Sequence, residues 1–390
     1  MPKKKIKKSS PFTPDAPLRV KKSYYTFSKH YPAGNLTIKN MRSRNSRSHK
    51  VSIAAKAVGV VLLVVLSFFT VSLALDISYK KPDTSVSQSQ KAEKPFIKTE
   101  GVKALYMPYG KLGDEKYVRK FASKIKRRNA TSVIIDFKTS QGKLAYTSLD
   151  KYAIKGKCAL FDNDTVRKAI NIFEQNDIRV IAGVYCFEDS AVAQAVKGIS
   201  VKYMDTEVNW LDSDGNGWLN PCSKRTWRYI TNIMLELNKM GIKGFVLNSA
   251  GFPDSANDSA AAYPGLKSYK SKDEVISGFI SQVKKSLPKD CFVIMGMSAE
   301  NCISKKGAQM SSSKVDGFAV NTFERPEKYI IDKKTDFTSI LSLYSDIQHN
   351  AAKKAFIPII DMREYSGSYL RHMKKAGYEN FILYNENGDY

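Results

Sequence analysis

Nineteen consecutive residues, Ala57 to Leu75 (AVGVVLLVVLSFFTVSLAL), carry no charge and are bounded by Lys56 and Asp76. As a helix rising about 1.5 Å per residue, the run reaches roughly 28 Å, close to the hydrocarbon thickness of a bilayer. A helix buried in a globular core is usually shorter and keeps a polar face, whereas this one is apolar all round. The run predicts a transmembrane helix, and it divides the rest of the chain in two.

Charge sets the expected orientation. Residues 1 to 56 hold 15 Lys and Arg against one acid, Asp15, which predicts a cytoplasmic N-terminus with everything after Asp76 outside the cell. Ser72 and Ala74 form a small-x-small pattern of the kind that precedes signal cleavage. The 56 residues ahead of the run are far more than a signal peptide carries, so an uncleaved signal anchor is expected. The localisation read from this is a single-pass protein of the cell membrane. Residues 1–56 have little apolar periodicity and read as a disordered basic tail, able to lie against anionic lipid. Residues 76–100, rich in Ser, Gln, Lys and Pro, read as a flexible linker.

Beyond the tail, 48 basic residues stand against 36 acidic ones, a net of about 12 positive charges. Such a surface suits a polysaccharide or another anionic cell-envelope polymer as partner, and the exported address argues against nucleic acid. All five cysteines (Cys158, Cys186, Cys222, Cys291 and Cys302) fall in this part, at spacings that match no zinc or redox motif. His349 and His372 are the only histidines there. The pattern therefore calls for no metal and no cofactor, and a Ser/His triad is not indicated.

Residues 101–390 have the composition of one large globular domain. Eight short apolar runs read as strands: 102–109, 132–138, 179–187, 243–249, 291–297, 317–323, 356–362 and 380–385. Helical i, i+3, i+4, i+7 spacing separates them, as in Val118, Phe121, Ala122 and Ile125, or Ile230, Ile233, Met234 and Leu237. Near-continuously apolar strands alternating with amphipathic helices imply a parallel sheet covered by helices. Eight such units predict a (β/α)₈ TIM barrel ectodomain preceded by one transmembrane helix.

Chemistry in that fold sits at the C-terminal strand ends. Those ends carry Asp136 and Lys138, Glu188, Asn248, Glu300, Glu324 and Asp361 in chain order. Paired carboxylates are what glycoside hydrolysis needs, one to protonate the leaving oxygen and one to act as nucleophile or activate water. Asp136, Glu188, Glu300 and Glu324 are the candidate catalytic set. Lys138, Tyr185, Asn248, Asp361 and Trp210 are candidate substrate contacts, the aromatic ones because ring faces suit the apolar faces of pyranoses. Trp218 and Trp227 are expected to pack. The stretch DSDGNG (212–217) matches half a calcium loop but has Ser223 where the bidentate Glu belongs, so a hairpin turn is expected.

These segments resemble a family of bacterial glycoside-hydrolase-like barrels distantly related to the α-amylase type. VIIDFKTSQGKLAYTS (133–148) is similar to the family's VVIDVKDDSGxVTYPS, and IRVIAGVYCFEDSAVAQA (178–195) to IYPIARIVVFKDPxLAxA. WLNPCSKRTWRY (218–229) resembles WVDPYNKEVWDY, KGFVLNSAGFPDS (243–255) falls on FDEIQFDYIRFP, and AGYENFILYNENGDY (376–390) follows GADGWLLWNPxNxY. The departures bear on mechanism. Asn248 stands where the motif has Asp, Gly251 and Gly183 stand where the family has Arg, and IMGMSAEN lacks the Asp that family members usually carry after the fifth strand. An amide can be neither nucleophile nor carboxylate base. The resemblance implies a membrane-anchored extracellular glycoside-hydrolase-like domain, acting on or binding cell-surface polysaccharide with weak or lost hydrolysis. The alternative is a non-catalytic barrel that binds a glycan or a protein in the cell envelope.

Overall fold

The computed structural model describes residues 101–304, 314–329, 337–350, 354–363 and 368–390. The expected tail, transmembrane run and linker lie outside these residues. Among the described residues no helix is long and apolar enough to cross a membrane.

Eight parallel strands close into a barrel in chain order: β1 (Lys103–Tyr106), β2 (Ser132–Lys138), β3 (Arg179–Tyr185), β4 (Gly244–Asn248), β5 (Phe292–Ser298), β6 (Gly317–Asn321), β7 (Ala355–Asp361) and β8 (Phe381–Tyr384). The last strand pairs with the first through Lys103↔Phe381 and Leu105↔Leu383. Each of the eight expected strands is present. Val, Ile, Leu and Phe fill both faces of these strands because one face looks into the barrel and the other meets the helices.

The barrel interior is a small apolar core of its own, built from residues such as Ile134, Ile181, Val246, Ile294, Ile357 and Ile382. At one level the Phe292 ring lies across Gly244, where a Cβ would stand 2.4 Å from the ring. A glycine is needed there because the ring occupies the space a side chain would take.

Helices cover the outside. The apolar stripes read from the sequence, with Val166, Ala169, Ile170 and Phe173 and Ile276, Phe279, Ile280 and Val283 completing the set of four, are the buried faces of α1 (Glu115–Arg127), α3 (Asn163–Gln175), α5 (Lys224–Lys239) and α6 (Lys272–Ser286). Asp114 and Asp162 cap α1 and α3 by accepting the Tyr117 and Thr165 amides, which satisfies donors a helix start leaves free. Two short helices, α2 (Lys151–Lys155) and α4 (Ser190–Ala195), interrupt the simple alternation. A two-stranded ribbon, Lys202–Tyr203 against Ala261–Ala262, ties the long β3–β4 connection to the β4–β5 connection. The helices after β5, β7 and before β7 are α7 (Ala299–Ser304), α9 (Tyr369–Lys375) and α8 (Phe337–Asn350). All five cysteines are free and buried; burial pushes the Cys158 thiol up to about 11, so each packs as a small apolar group.

Candidate functional site

At the C-terminal end of the strands the barrel opens into a cavity of about 520 Å³. Its floor is the top of the apolar interior, including Ile134, Val246, Ile359 and Ile382. Above that floor the inward positions turn polar: Tyr106, Asp136, Tyr185, Asn248, Asn321 and Tyr384. Three aromatic rings make one wall. Tyr106 and Tyr384 lie 4.9 Å apart, and Phe323 stacks on Tyr384 at 5.7 Å.

Asp136 lies opposite Gly183 of the neighbouring strand. Its Oδ1 occupies the space beside that glycine, 2.0 Å from where a Cβ would be. The Gly183 that departs from the family Arg therefore makes room for the Asp136 carboxyl. The Tyr106 hydroxyl donates to Asp136 Oδ2 at 3.1 Å. Burial raises the Asp136 carboxyl to about 6, against the lowering effect of that hydrogen bond. A carboxyl poised there holds its proton over part of the near-neutral range and can donate it. Asn248 is placed in the same way, with Oδ1 2.1 Å from where a Cβ on Gly296 would stand.

Two glutamates stand over this ring. Glu188 accepts from the Ser249 hydroxyl at 2.8 Å. Its carboxyl is raised by burial and, more weakly, by Asp212, while the Ser249 bond lowers it. Glu324 lines the same mouth. Tyr185 lines this mouth too, its phenol pushed well above the usual range by burial and then by Asp136 and Glu188. Asp136, Tyr185, Glu188, Asn248 and Glu324 are thus brought to one cavity.

Four other candidates are placed elsewhere. Lys138 does not reach the mouth and is fully buried. A register shift between Asp136 and Lys138 turns it out of the barrel, since a bulge reverses the alternation of side chains. Its amine meets Asp189 Oδ2 at 2.9 Å and the Tyr185 carbonyl at 2.7 Å. Asp189 in turn accepts from the Tyr229 hydroxyl at 3.2 Å and from the Val192 amide at 2.8 Å. Lys138 is a buried clamp on the end of β3. Trp210 is also fully buried, its ring N–H turned to the Asn257 carbonyl at 3.4 Å, so no substrate touches it. Asp361 is buried beneath Arg363, whose Nε donates to both of its oxygens at 3.0 and 2.9 Å. Glu300 is exposed and outside the mouth lining; its backbone N–H donates to the Glu324 carbonyl, and its charge adds to burial in holding the Glu324 carboxyl above the usual range.

Trp218 packs as expected, buried against the core, and one part of it also reaches the mouth lining. Its ring N–H donates to Asp212 Oδ2 at 2.8 Å, and its backbone bridges to Glu188. The DSDGNG stretch closes a hairpin: Leu211 pairs with Gly217, and Asp212 Oδ1 accepts the Asp214 and Asn216 amides. The aromatic wall was missed by the sequence reading. Its signal was the inward register of Tyr106 and Tyr384 at the ends of the first and last strands, which barrel closure makes neighbours.

An aromatic wall beside a protonatable carboxyl and two further carboxylates can seat a pyranose ring, donate a proton to a glycosidic oxygen and activate water. Residues 104–312 match the family model described as "Putative glycosyl hydrolase domain". No curated protein matches the chain. Among solved structures, the glycoside hydrolase domain of PgaB (BpsB) from Bordetella bronchiseptica is 12% identical over 73% of this chain and 94% of that one, with a TM-score of 0.48. A variant of the glycoside hydrolase domain of PelA from Pseudomonas aeruginosa is 11% identical over 75% of this chain and 97% of that one, with a TM-score of 0.41. A hypothetical protein from Ruminiclostridium thermocellum is 22% identical over 49% of this chain and 96% of that one, with a TM-score of 0.44.

Proposed function

The chain belongs to the "Putative glycosyl hydrolase domain" family, and from that premise we propose that it takes a segment of cell-surface polysaccharide into the barrel mouth and hydrolyses it weakly. The run Ala57 to Leu75 anchors it, with the barrel on the outer face of the cell membrane. The observation that carries the reading is the Asp136 carboxyl, raised to about 6 beneath the aromatic wall. In the reaction Asp136 gives its proton to the glycosidic oxygen as the bond to the anomeric carbon breaks. Water adds to that carbon and loses its proton to Glu188 or Glu324. Tyr106 orients the Asp136 carboxyl through its hydroxyl.

One observation favours a second reading, in which the barrel binds without cleaving. The end of β4 presents Asn248, an amide that supplies neither nucleophile nor base. Both readings meet one experiment on the full-length chain: incubation with a panel of cell-wall and capsular polysaccharides, reading new reducing ends beside an Asp136→Asn control. Product that vanishes in the control establishes hydrolysis and places Asp136 in it. Retention on a polymer without product, abolished by Tyr185→Ala or Tyr384→Ala, establishes the binding barrel. Neither product nor mouth-dependent retention on any polymer overturns both.

A further inference from the structure

A second cavity, of about 590 Å³, opens on the outer wall of the barrel and shares no lining residue with the mouth. It lies along α5 beside the start of α2 and the face of α3. Lys151, Arg167, Arg225, Arg228 and Lys239 line it, against only Asp150 and Glu236, a net of three positive charges. Arg225, Arg228 and Lys239 come from a single face of α5, with Asn232 and Glu236 between them at helical spacing.

The two carboxylates are already engaged in holding the wall together. Asp150 accepts from the Tyr152 amide and from Asn232 Nδ2, each at 2.8 Å. Glu236 accepts from the Leu149 amide at 3.0 Å and the Tyr146 hydroxyl at 2.7 Å. These bonds fasten the 149–150 loop onto α5 and shape the groove. Arg225 is fixed in it, donating to the Tyr152 hydroxyl at 2.8 Å with its guanidinium over that ring. Among the described residues no carboxylate pairs with Arg167, Arg228 or Lys239. Exposed guanidinium groups without a carboxylate partner are suited to bidentate capture of phosphate or carboxylate oxygens. Leu149, 84% exposed at the rim, offers an apolar contact for the carbon backbone of a polymer.

From this we infer that the α5 groove is a binding site for an anionic polymer, a chain of phosphodiester or uronate units held by Arg167, Arg225 and Arg228 outside the mouth. The site would keep the barrel on an anionic polymer while the mouth works on its glycan, and its existence does not depend on whether the mouth cleaves anything.

The test measures affinity of the full-length chain for poly(glycerol phosphate), polygalacturonate and neutral dextran. The comparison is wild type against Arg167→Glu/Arg228→Glu and against a charge-matched control on α1, Lys116→Glu/Lys120→Glu. The basic tail is common to all three proteins, so the difference reads the groove. The expected result is a loss of about tenfold or more for one or both anionic polymers in the groove variant, with little change in the control. The loss should shrink as salt screens the charges. Binding of phosphate polymer alone or uronate polymer alone identifies which oxyanion the site takes. The milder Arg167→Gln/Arg228→Gln pair should show a smaller loss in the same direction, with an unchanged thermal midpoint to establish folding. Equal losses in the groove and control variants would reduce the effect to net charge and overturn the site. So would wild type that binds neither anionic polymer, or one that binds only anionic lipid vesicles. Failure of the mouth experiment leaves these outcomes untouched, because Asp136→Asn should bind the anionic polymers as wild type does.

Discussion

Asp136 is held in a folded environment that favours its neutral form, with burial the main cause and the Tyr106 hydrogen bond opposing it. The sign of the pH dependence follows. A carboxyl raised to about 6 from an unfolded value of about 3.9 binds more protons folded than unfolded in that interval. Stability contributed by this residue is therefore lost as pH rises from about 4 to about 6, and the loss is complete above that. Replacing it with Asn should leave the thermal midpoint almost unchanged near pH 4 and raise it above pH 6, a difference that scanning calorimetry at the two pH values reads directly. Lys138, by contrast, is buried as one half of an ion pair with Asp189. Lys138→Met strands the Asp189 carboxylate in the interior and should cost about 3 to 5 kcal/mol in urea unfolding, with Lys138→Met/Asp189→Leu recovering much of it. A double variant as unstable as the single one would show that the pair is not coupled. Asp136 was legible in the sequence because it ends an inward-facing strand register. Lys138 was not: two positions further on, simple alternation puts it in the mouth, and the bulge that reverses it leaves no mark in residue type. Trp210 failed for a different reason, since its position in the β3–β4 connection depends on how a long loop folds back, which local spacing does not determine.

The eight strands and four of the helices were readable element by element, since burial on both faces makes a strand near-continuously apolar and burial on one makes a helix periodic. The short helices α2 and α4 were not, because each starts on a side-chain bond, Asp150 to the Tyr152 amide and Asp189 to the Val192 amide; nor was the ribbon, a pairing of two-residue strands from separate loops. Strand pairing depends on glycines where interior side chains cross. Gly244→Ala would push a Cβ into three atoms of the Phe292 ring, all within 3.1 Å. Overpacking at so confined a place should cost about 1 to 3 kcal/mol, read as a lower urea midpoint with unchanged slope. The seam between β1 and β8 is closed by Tyr390, whose hydroxyl lies 2.6 Å from the Tyr106 carbonyl and 3.0 Å from the Leu383 carbonyl. Tyr390→Phe keeps the ring and deletes that bridge, so it should destabilise by about 1 to 2 kcal/mol and speed amide exchange at both seam strands. Exchange accelerated uniformly over the barrel would instead assign Tyr390 a global packing role.

At the scale of the whole molecule the eight strands close into a barrel within residues 101–390, whereas its proposed place outside the cell rests on what precedes them. In the proposed topology the 25 residues 76–100 serve as the linker, and a flexible coil of that length would span roughly 25 to 30 Å on average. Under the proposed anchoring that reach would let the mouth and the α5 groove address polymer close to the membrane, with the basic tail inside the cell. Residues 76–100 carry several lysines in a Ser- and Gln-rich context, so in the proposed topology, with the basic tail inside the cell, they would be the segment offered to an external trypsin-like protease. Trypsin added to intact cells should release the barrel as a fragment beginning in this linker, while an epitope placed at the N-terminus stays protected until the cells are lysed. The barrel itself should resist, because its strands and helices are paired and its cysteines buried. Deleting residues 57–75 should remove the release altogether, since the proposed export signal and anchor would then be gone. A protected barrel and a digested N-terminal epitope would reverse the orientation, and with it the supply of extracellular polymer on which both proposed sites depend.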